Sequence, residues 1–332
     1  MPSLNIKDLE VALSHRKHLL NKEHPNTYRL FNGFSEGYPE LVADIYRRTL
    51  LLYNFSKTPK ENHDDIVAAQ KFYLKKLPGI EAVIIKTRKG ESRSSQQGIL
   101  TYGEKPNNKV TENEVRYAID LQMNQDSSLY LDTSNLRKFL KDNCKGKSVL
   151  NTFAYTGSLG VAAKAGGASL VVQMDLNRKF MGLAKRSYQL NGFPVINKEF
   201  IVGDFFSCVK NLKINNKLFD CVILDPPFFS NTKKGRVDLA QNNKKLINKL
   251  RPLVNNDGFL IVINNALFFS GEDFMASMND LCTDGYLSIH EIIAVPDAVV
   301  GYIEQNPINQ PANPAPFNHS TKIVVLKVKR KQ

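Results

Sequence analysis

Two short segments of the chain place polar and aromatic side chains directly after apolar runs. Residues 148–157 read SVLNTFAYTG, and residues 219–229 read FDCVILDPPFF. An apolar run that stops at a polar turn is typical of a buried parallel strand that delivers a loop to the carboxyl edge of a doubly wound sheet, where ligands bind. Because one domain has two such strand ends, we expect a cofactor to face a substrate there.

The second loop combines a carboxylate, two ring-constrained residues and an aromatic ring. Proline has no backbone N–H, so two prolines stiffen the turn and leave carbonyls free to accept hydrogen bonds from the amino group of a base. The aromatic ring can stack on the same base. The predicted catalytic residues are therefore Asp225, Pro226, Pro227 and Phe228. A rigid strand-to-helix turn capped by Asp225 is the structural alternative.

The first loop predicts a ligand without phosphate groups. It has neither the glycines of a GxGxxG loop nor the GKS or GKT of a phosphate-binding loop. Asp175 ends the next strand, where α/β nucleoside sites bind ribose hydroxyls. Asp204 and Phe205 follow the third strand and suit an adenine amino group and ring face. Together these features indicate S-adenosylmethionine, although an acid at a strand end can instead be a helix cap.

The predicted S-adenosylmethionine site is built from the residues at these strand ends. They are Asn151, Phe153, Ala154, Tyr155, Thr156, Gly157, Asp175, Leu176, Asp204, Phe205 and Asp225.

Strands and helices alternate from Ser148 onward. This alternation indicates an α/β fold with a parallel sheet covered by helices on both faces. The predicted strands are 149–153, 170–175, one ending near Val202, 221–224 and 259–263, and the predicted helices are 158–165, 178–191 and 241–250. Two further strands, 286–295 and 321–329, break the alternation.

The first third of the chain predicts a smaller α+β unit. Residues 4–20 have helical periodicity, and we interpret their basic side chains as solvated. A hairpin over 41–55 precedes a helix over 64–77 and a strand over 80–86. The basic segment 86–97 reads as an exposed loop, either in contact with phosphates or simply solvated.

Composition narrows the class of protein further. The 332 residues carry a formal net charge of +13 with a pI near 9.4, which favours a polyanionic partner such as RNA. The four cysteines are widely spaced, so we expect reduced thiols in a cytoplasmic protein and no metal site. No apolar run is long enough for a membrane helix. The oligomeric state stays open, a homodimer included.

Several stretches of the chain resemble a known family. They are residues 28–33 (YRLFNG), 37–44 (GYPELVAD), 124–132, 149–157 followed by 162–168, and 224–231. They resemble the class I S-adenosylmethionine-dependent methyltransferases that modify cytosine C5 or guanine in bacterial 23S ribosomal RNA. The resemblance implies a Rossmann-like methyltransferase domain over 113–332, with a mostly parallel seven-stranded sheet and an antiparallel C-terminal strand. A smaller RNA-facing α+β domain over 1–112 would precede it, without the extra N-terminal RNA-binding domain that members often carry.

The chain also departs from the family pattern. Residues 124–128 read NQDSS where members show GQKTG, which implies an altered cofactor lid. Cytosine-C5 methylation needs a thiolate, and the relevant branch offers it from the strand after Gly258, where residues 260–266 of this chain contain no cysteine. This chain has Asn264 and Asn265 there, which resembles the branch that methylates a guanine nitrogen.

We therefore expect direct methyl transfer to a base nitrogen of ribosomal RNA, without a cysteine nucleophile. The alternatives are a non-catalytic RNA-binding protein with a relic cofactor pocket and a methyltransferase for protein or small molecules.

Overall fold

A computed structural model describes residues 3–20, 27–227, 229–232, 235–302 and 313–330. The chain divides into two compact units. The first is Met1–Asp132 with Pro296–Gln310, and the second is Thr133–Val295 with Pro311–Gln332. The predicted boundary between independent domains at 112/113 stays a prediction. No helix in the described ranges is long and apolar enough to cross a membrane.

The first unit is built on a five-stranded sheet in the order β1-β2-β3-β4-β5. Its strands are β1 (Thr27–Asn32), β2 (Leu41–Tyr46), β3 (Thr49–Asn54), β4 (Ala82–Thr87) and β5 (Ile99–Tyr102), and a separate hairpin is formed by β6 (Lys109–Glu112) and β7 (Val115–Ala118). Its helices are α1 (Ile6–His15), α2 (Lys17–Leu20), α3 (Gly33–Glu36), α4 (His63–Lys76) and α5 (Arg93–Gln97), together with Asp297–Val300. The predicted hairpin and the helix that follows it are confirmed.

The prediction of one solvated basic helix over residues 4–20 is wrong at Arg16. The helix stops before this residue, whose side chain is fully buried. Its guanidinium forms two hydrogen bonds with the Glu36 carboxylate, at 2.7 and 2.9 Å, and donates to the carbonyl of Ala298 at 2.9 Å. A charge buried in this way needs such partners. These contacts join residues 297–300 to the N-terminal part of the first unit.

The second unit has a seven-stranded sheet in the order β10-β9-β8-β11-β14-β16-β15. Its strands are β8 (Ser148–Thr152), β9 (Leu170–Asp175), β10 (Phe200–Val202), β11 (Phe219–Leu224), β14 (Val254–Asn264), β15 (Leu287–Ile292) and β16 (Lys322–Val328), and a small hairpin is formed by β12 (Phe229–Thr232) and β13 (Gly235–Asp238). Its helices are α6 (Ser134–Asn143), α7 (Ser158–Ala165), α8 (Arg178–Leu190), α9 (Phe205–Ile214), α10 (Leu239–Leu250) and α11 (Gly271–Cys282), with 3-10 turns at Asn197–Glu199 and Arg251–Leu253.

The predicted α/β fold is confirmed. The first five strands of the order pair in parallel, and β16 is antiparallel to both β14 and β15. Strand β11 shows why its sequence is almost continuously apolar. Val222 and Leu224 pack into the core on one face, while Cys221 and Ile223 pack into the core on the other, so both faces are covered.

The sheet order sets the position of the loops after β8 and β11. From β8 the chain runs outward through β9 and β10, and it then returns to the other side of β8 as β11. The strand order therefore reverses between β8 and β11, and such a switch point opens a crevice at the carboxyl edge. The register pairs Thr152 with Leu224 and also with Met174. Phe153, Asp175 and Asp225 consequently lie at the same level of the sheet.

Candidate cofactor and substrate site

The loop after β8 has an uncommon backbone conformation. Phe153 and Tyr155 have φ values of 53° and 52°, and Gly157 has 78°. Side-chain-bearing residues seldom adopt such angles, which cost energy and cluster at functional sites. Hydrogen bonds hold the turn, from Ala154 N to the carbonyl of Met174 at 2.9 Å and from Gly157 N to the carbonyl of Ala154 at 2.8 Å. The loop is thereby fixed in one shape at the edge of the sheet.

Gly157 is required at the entry to α7. A Cβ atom there would lie 2.5 Å from the Cβ of Ala184, in addition to the strain of its positive φ. The carbonyl of Gly157 accepts a hydrogen bond from Gln173 Nε2 at 3.0 Å. Gln173 Oε1 in turn accepts from Asn151 Nδ2 at 2.8 Å. Asn151 is buried, so the structure places it beneath the loop as a support.

Gln173 is a site residue that the sequence analysis missed. It is fully buried in β9, between apolar neighbours, and its amide bridges Asn151 and the loop. A buried amide needs hydrogen-bond partners. The signal in the sequence was a glutamine inside the apolar run of residues 170–174, LVVQM.

Asp175 joins the ends of β8 and β9. Its Oδ2 accepts a hydrogen bond from Tyr155 N at 2.8 Å, and its Oδ1 accepts from Asn177 N at 2.8 Å. Burial raises the pKa of this carboxyl, and the backbone donors oppose that shift. Each carboxylate oxygen has two lone-pair sites, so one bond to each leaves room for further donors.

The surroundings of Asp175 fit the nucleoside part of S-adenosylmethionine. The carboxylate can accept from ribose hydroxyls, and the next residue, Leu176, is apolar with a relative exposure of 61%. Such a side chain offers a surface that a flat ring can cover. Thr156 and Ala154 are buried in the neighbouring turn. The roles of these residues in cofactor binding stay predictions.

Asp204 and Phe205, which follow β10, make contacts within the protein. Asp204 is the N-cap of α9, and its Oδ1 accepts from Ser207 N at 3.1 Å. Phe205 is buried and stacks on Phe153, with 4.5 Å between the ring centroids. Asp204 thus has the capping role that the sequence left open. The stacking covers one face of the Phe205 ring, and adenine contacts for both residues stay predictions.

The loop after β11 lies beside the loop after β8. Asp225 is half-buried, Pro226 is buried and Pro227 is exposed. The predicted catalytic residue Phe228 lies outside the described residues. On the other side, β14 pairs Val262 with Leu224, which brings Asn264 to the same edge. Asn264 is buried, and its Oδ1 accepts from Ala266 N at 3.0 Å.

None of the four cysteines belongs to the loops after β8, β11 or β14. Cys221 is fully buried inside β11, next to the buried Cys144, and all four cysteines are free thiols. Interaction with the Cys144 thiol and burial raise the pKa of Cys221 well above its ordinary value. A thiol in this environment stays protonated and is a poor nucleophile. Cys208 lies in α9, with its Sγ beside Gly203 at the end of β10, and Cys282 is the last residue of α11.

The parallel sheet, its reversal between β8 and β11 and its antiparallel strand β16 define a class I methyltransferase fold. The sequence profile of the S-adenosylmethionine-dependent methyltransferase family matches residues 29–290. The chain belongs to this family, and it is an S-adenosylmethionine-dependent methyltransferase. The alternative of a non-catalytic RNA-binding protein is therefore not favoured.

The chain is also similar to individual proteins of known name or structure. The chain is 29% identical over 289 residues to ribosomal RNA large subunit methyltransferase I of Photobacterium profundum, covering 86% of this chain and 72% of the relative. It is 31% identical over 244 residues to the enzyme of the same name from Aeromonas hydrophila, covering 73% and 61% respectively. The solved structure of SMU.776 complexed with SAH superposes with a TM-score of 0.85 at 22% identity, covering 99% of this chain and 83% of that one. At that identity the superposition shows the shared fold.

Proposed function

We propose that this methyltransferase modifies a base of ribosomal RNA and transfers the methyl group directly to a base nitrogen. The ribosomal RNA methyltransferase relatives and the net charge of +13 support an RNA substrate. The observation that carries direct transfer is the burial of Cys221 together with the absence of cysteine from residues 225–232 and 264–270. A covalent route through C6 of a pyrimidine needs a thiolate beside the base. Guanine is the base that we propose.

When bound, S-adenosylmethionine supplies a methyl group on a positively charged sulfur. In the transfer, the base nitrogen would form a bond to the methyl carbon, the bond from that carbon to sulfur would break with its electron pair left on sulfur, and the proton of the nitrogen would pass to water. In this proposal Asp225 accepts a hydrogen bond from the N–H or amino group of the base and orients the nitrogen. Pro226 and Pro227 fix the turn, and Phe228 stacks on the base. Positioning of this kind, rather than covalent chemistry, then supplies most of the rate.

The site residues at the other strand ends would hold the cofactor. In our proposal the strained turn from Phe153 to Gly157 contacts its methionine part, and Asp175 and Leu176 contact its ribose and adenine. The backbone angles of the turn and the exposure of Leu176 support these roles.

We also propose that the α+β domain over residues 1–112 contacts the RNA. The prediction that residues 86–97 form an exposed basic loop is wrong at Lys86. Lys86 is buried, and its Nζ donates to the carbonyls of Asn124 and Asp126 at 2.7 and 2.8 Å. Burial lowers its pKa to about 8. Lys86 therefore holds residues 124–126 in place, which leaves Lys89 and Arg93, both exposed, for phosphate contacts.

Methyl incorporation tests this function. The purified protein should transfer labelled methyl groups from S-adenosylmethionine to unmodified large-subunit ribosomal RNA, and nucleoside analysis should find the label on a guanine nitrogen. Incorporation into protein alone, or into C5 of cytosine, would refute the corresponding part of the proposal.

Variants separate catalysis from binding. Asp225→Ala should reduce turnover on RNA and leave the affinity for S-adenosylmethionine unchanged. Asp142→Ala is the matched control, since this exposed acid ends α6 at the opposite edge of the sheet, where it pairs with Lys138. Exposed pairs of this kind contribute little stability. Equal turnover of the Asp225 and Asp142 variants would contradict the role of Asp225.

A further inference from the structure

The loop after β14 displays two apolar side chains to solvent. Phe268 is 91% exposed and Leu267 is 56% exposed. They occupy the two central positions of a turn, which is closed by a hydrogen bond from Phe269 N to the carbonyl of Ala266 at 3.4 Å. Glycine, asparagine, aspartate and proline dominate such positions in turns. An exposed leucine and phenylalanine at the tip therefore call for another explanation than turn formation.

The first end of this turn is firmly held. Ala266 is buried, its N–H donates to Asn264 Oδ1, and its carbonyl accepts from Lys322 Nζ at 3.0 Å. The same ammonium donates to the carbonyl of Ser320 at 2.7 Å, and the Lys322 side chain is itself buried. A buried ammonium is costly and persists where it has good partners. Lys322 thus ties the turn to β16.

The second end is held as well. Phe269 packs edge-on against the buried Phe274, with 6.2 Å between the ring centroids. Ser270 is the N-cap of α11, and its Oγ accepts from Asp273 N at 2.9 Å. Gly271 N donates to the carbonyl of Asn313 at 2.6 Å. Phe268 is therefore presented by a fixed turn between two anchored ends.

The turn lies at the carboxyl edge of β14, the strand beside β11. Because Val262 pairs with Leu224, the residues after Asn264 leave the sheet on the same side as Asp225 and Pro226. We propose that Phe268, supported by Leu267, is a stacking platform for an RNA base that neighbours the methylated nucleotide in the strand. This inference rests on the proposed RNA substrate.

The occupant is inferred from the exposed ring of Phe268 and from the net charge of the chain. An aromatic face stacks on any base, and proteins recognise unpaired RNA largely in this way. A rigid platform loses little conformational entropy when it is covered. The net charge of +13 favours a polyanionic strand over an apolar protein surface as the partner. Stacking of a flanking base would hold the target nucleotide unstacked beside Asp225.

Binding and turnover of variants test the platform. Phe268→Ala should raise the Kd for unmodified large-subunit ribosomal RNA transcribed in vitro by roughly 5- to 100-fold, the usual effect of losing one base–aromatic stack. Phe268→Trp should restore binding, and Leu267→Ala should have a smaller effect. The Kd for S-adenosylmethionine and the unfolding midpoint should stay unchanged, because an exposed ring contributes little to folding.

Ile214→Ala provides the matched control. Ile214 is 65% exposed at the end of α9, from which the chain enters β11 at the opposite edge of the sheet. Its removal takes away a similar exposed apolar surface and should leave RNA binding as in the wild type.

Three outcomes would overturn the inference. If the wild type methylates RNA and Phe268→Ala binds and methylates it equally well, the platform is wrong while the proposed function stands. If the wild type methylates no RNA, the proposed function fails first and the platform with it. If the wild type forms a dimer that Phe268→Ala converts to a monomer, a second copy of the chain covers the turn instead.

Discussion

The backbone N–H of Tyr155 donates to the Asp175 carboxylate over 2.8 Å, which joins the loops that follow two neighbouring strands. The acceptor is the residue expected to bind the ribose, and the donor lies in the strained turn expected to contact the methionine part of the cofactor. The shape of one predicted subsite therefore depends on the charged group of the other. Substitution of Asp175 should affect both.

Asp175→Ala should weaken the binding of S-adenosylmethionine. Loss of a hydrogen bond to a charged group costs about 1.5 to 3 kcal/mol, and the loss of the bond from Tyr155 adds to it. Calorimetric titration of the purified variant measures the change. Asn177→Ala is the control, since it removes the side-chain cap of α8 and keeps the backbone N–H that donates to Asp175. Wild-type affinity in the Asp175 variant would exclude its role in cofactor binding.

Gly157→Ala should reduce both stability and cofactor affinity. The added methyl group would meet the Cβ of Ala184 at 2.5 Å, and a non-glycine residue at φ 78° costs a further roughly 1 kcal/mol. Gly182→Ala should instead raise the free energy of unfolding, because Gly182 lies within α8 with open space around it and alanine favours helix by about 1 kcal/mol. Chemical denaturation compares the two. If Gly157→Ala left the free energy of unfolding unchanged, the turn would be able to relax around the added methyl group.

Cys221→Ala should retain most of its turnover on RNA. The thiol is buried in β11, and its raised pKa keeps it protonated. Loss of some stability is expected from the small cavity. The measurement is methyl incorporation per folded protein, with folding checked by thermal denaturation. Complete loss of turnover in the folded variant would instead favour a covalent mechanism.

Lys322 should make the stability of the protein depend on pH. Burial lowers the pKa of its ammonium from 10.5 to about 8, so between these values the unfolded chain holds a proton that the folded chain has released. The free energy of unfolding should therefore rise with pH in this window, by roughly 1 kcal/mol for each pH unit, and gain nothing from this group below it. The difference between wild type and Lys322→Met, measured by denaturation at several pH values, isolates this contribution. A difference that is constant with pH would show that the ammonium keeps its ordinary pKa.

Two basic residues, Arg16 and Lys86, and several phenylalanines show where sequence reasoning stops. Arg16 is predicted to be solvated, and Lys86 to lie in an exposed loop that contacts phosphates or water. Both are buried, because Glu36 and the carbonyls of residues 124 and 126 come from distant parts of the chain. Phe205 is predicted to contact adenine; it is buried and stacks on Phe153, and the adenine contact stays a prediction. Phe268 and Phe274 lie six positions apart, yet one is exposed and the other is fully buried.

The sequence by itself determined the alternating strands of the methyltransferase sheet, the polar turns that end β8, β9 and β11, and the absence of a phosphate-binding loop. These features are local, because apolar periodicity and turn residues act over a few positions of the chain. Only the tertiary structure decided that Phe153, Asp175 and Asp225 lie at one level of the sheet, that Gln173 supports the turn, and that Phe268 faces solvent. Register and burial depend on contacts between residues far apart in sequence, and no local pattern encodes them.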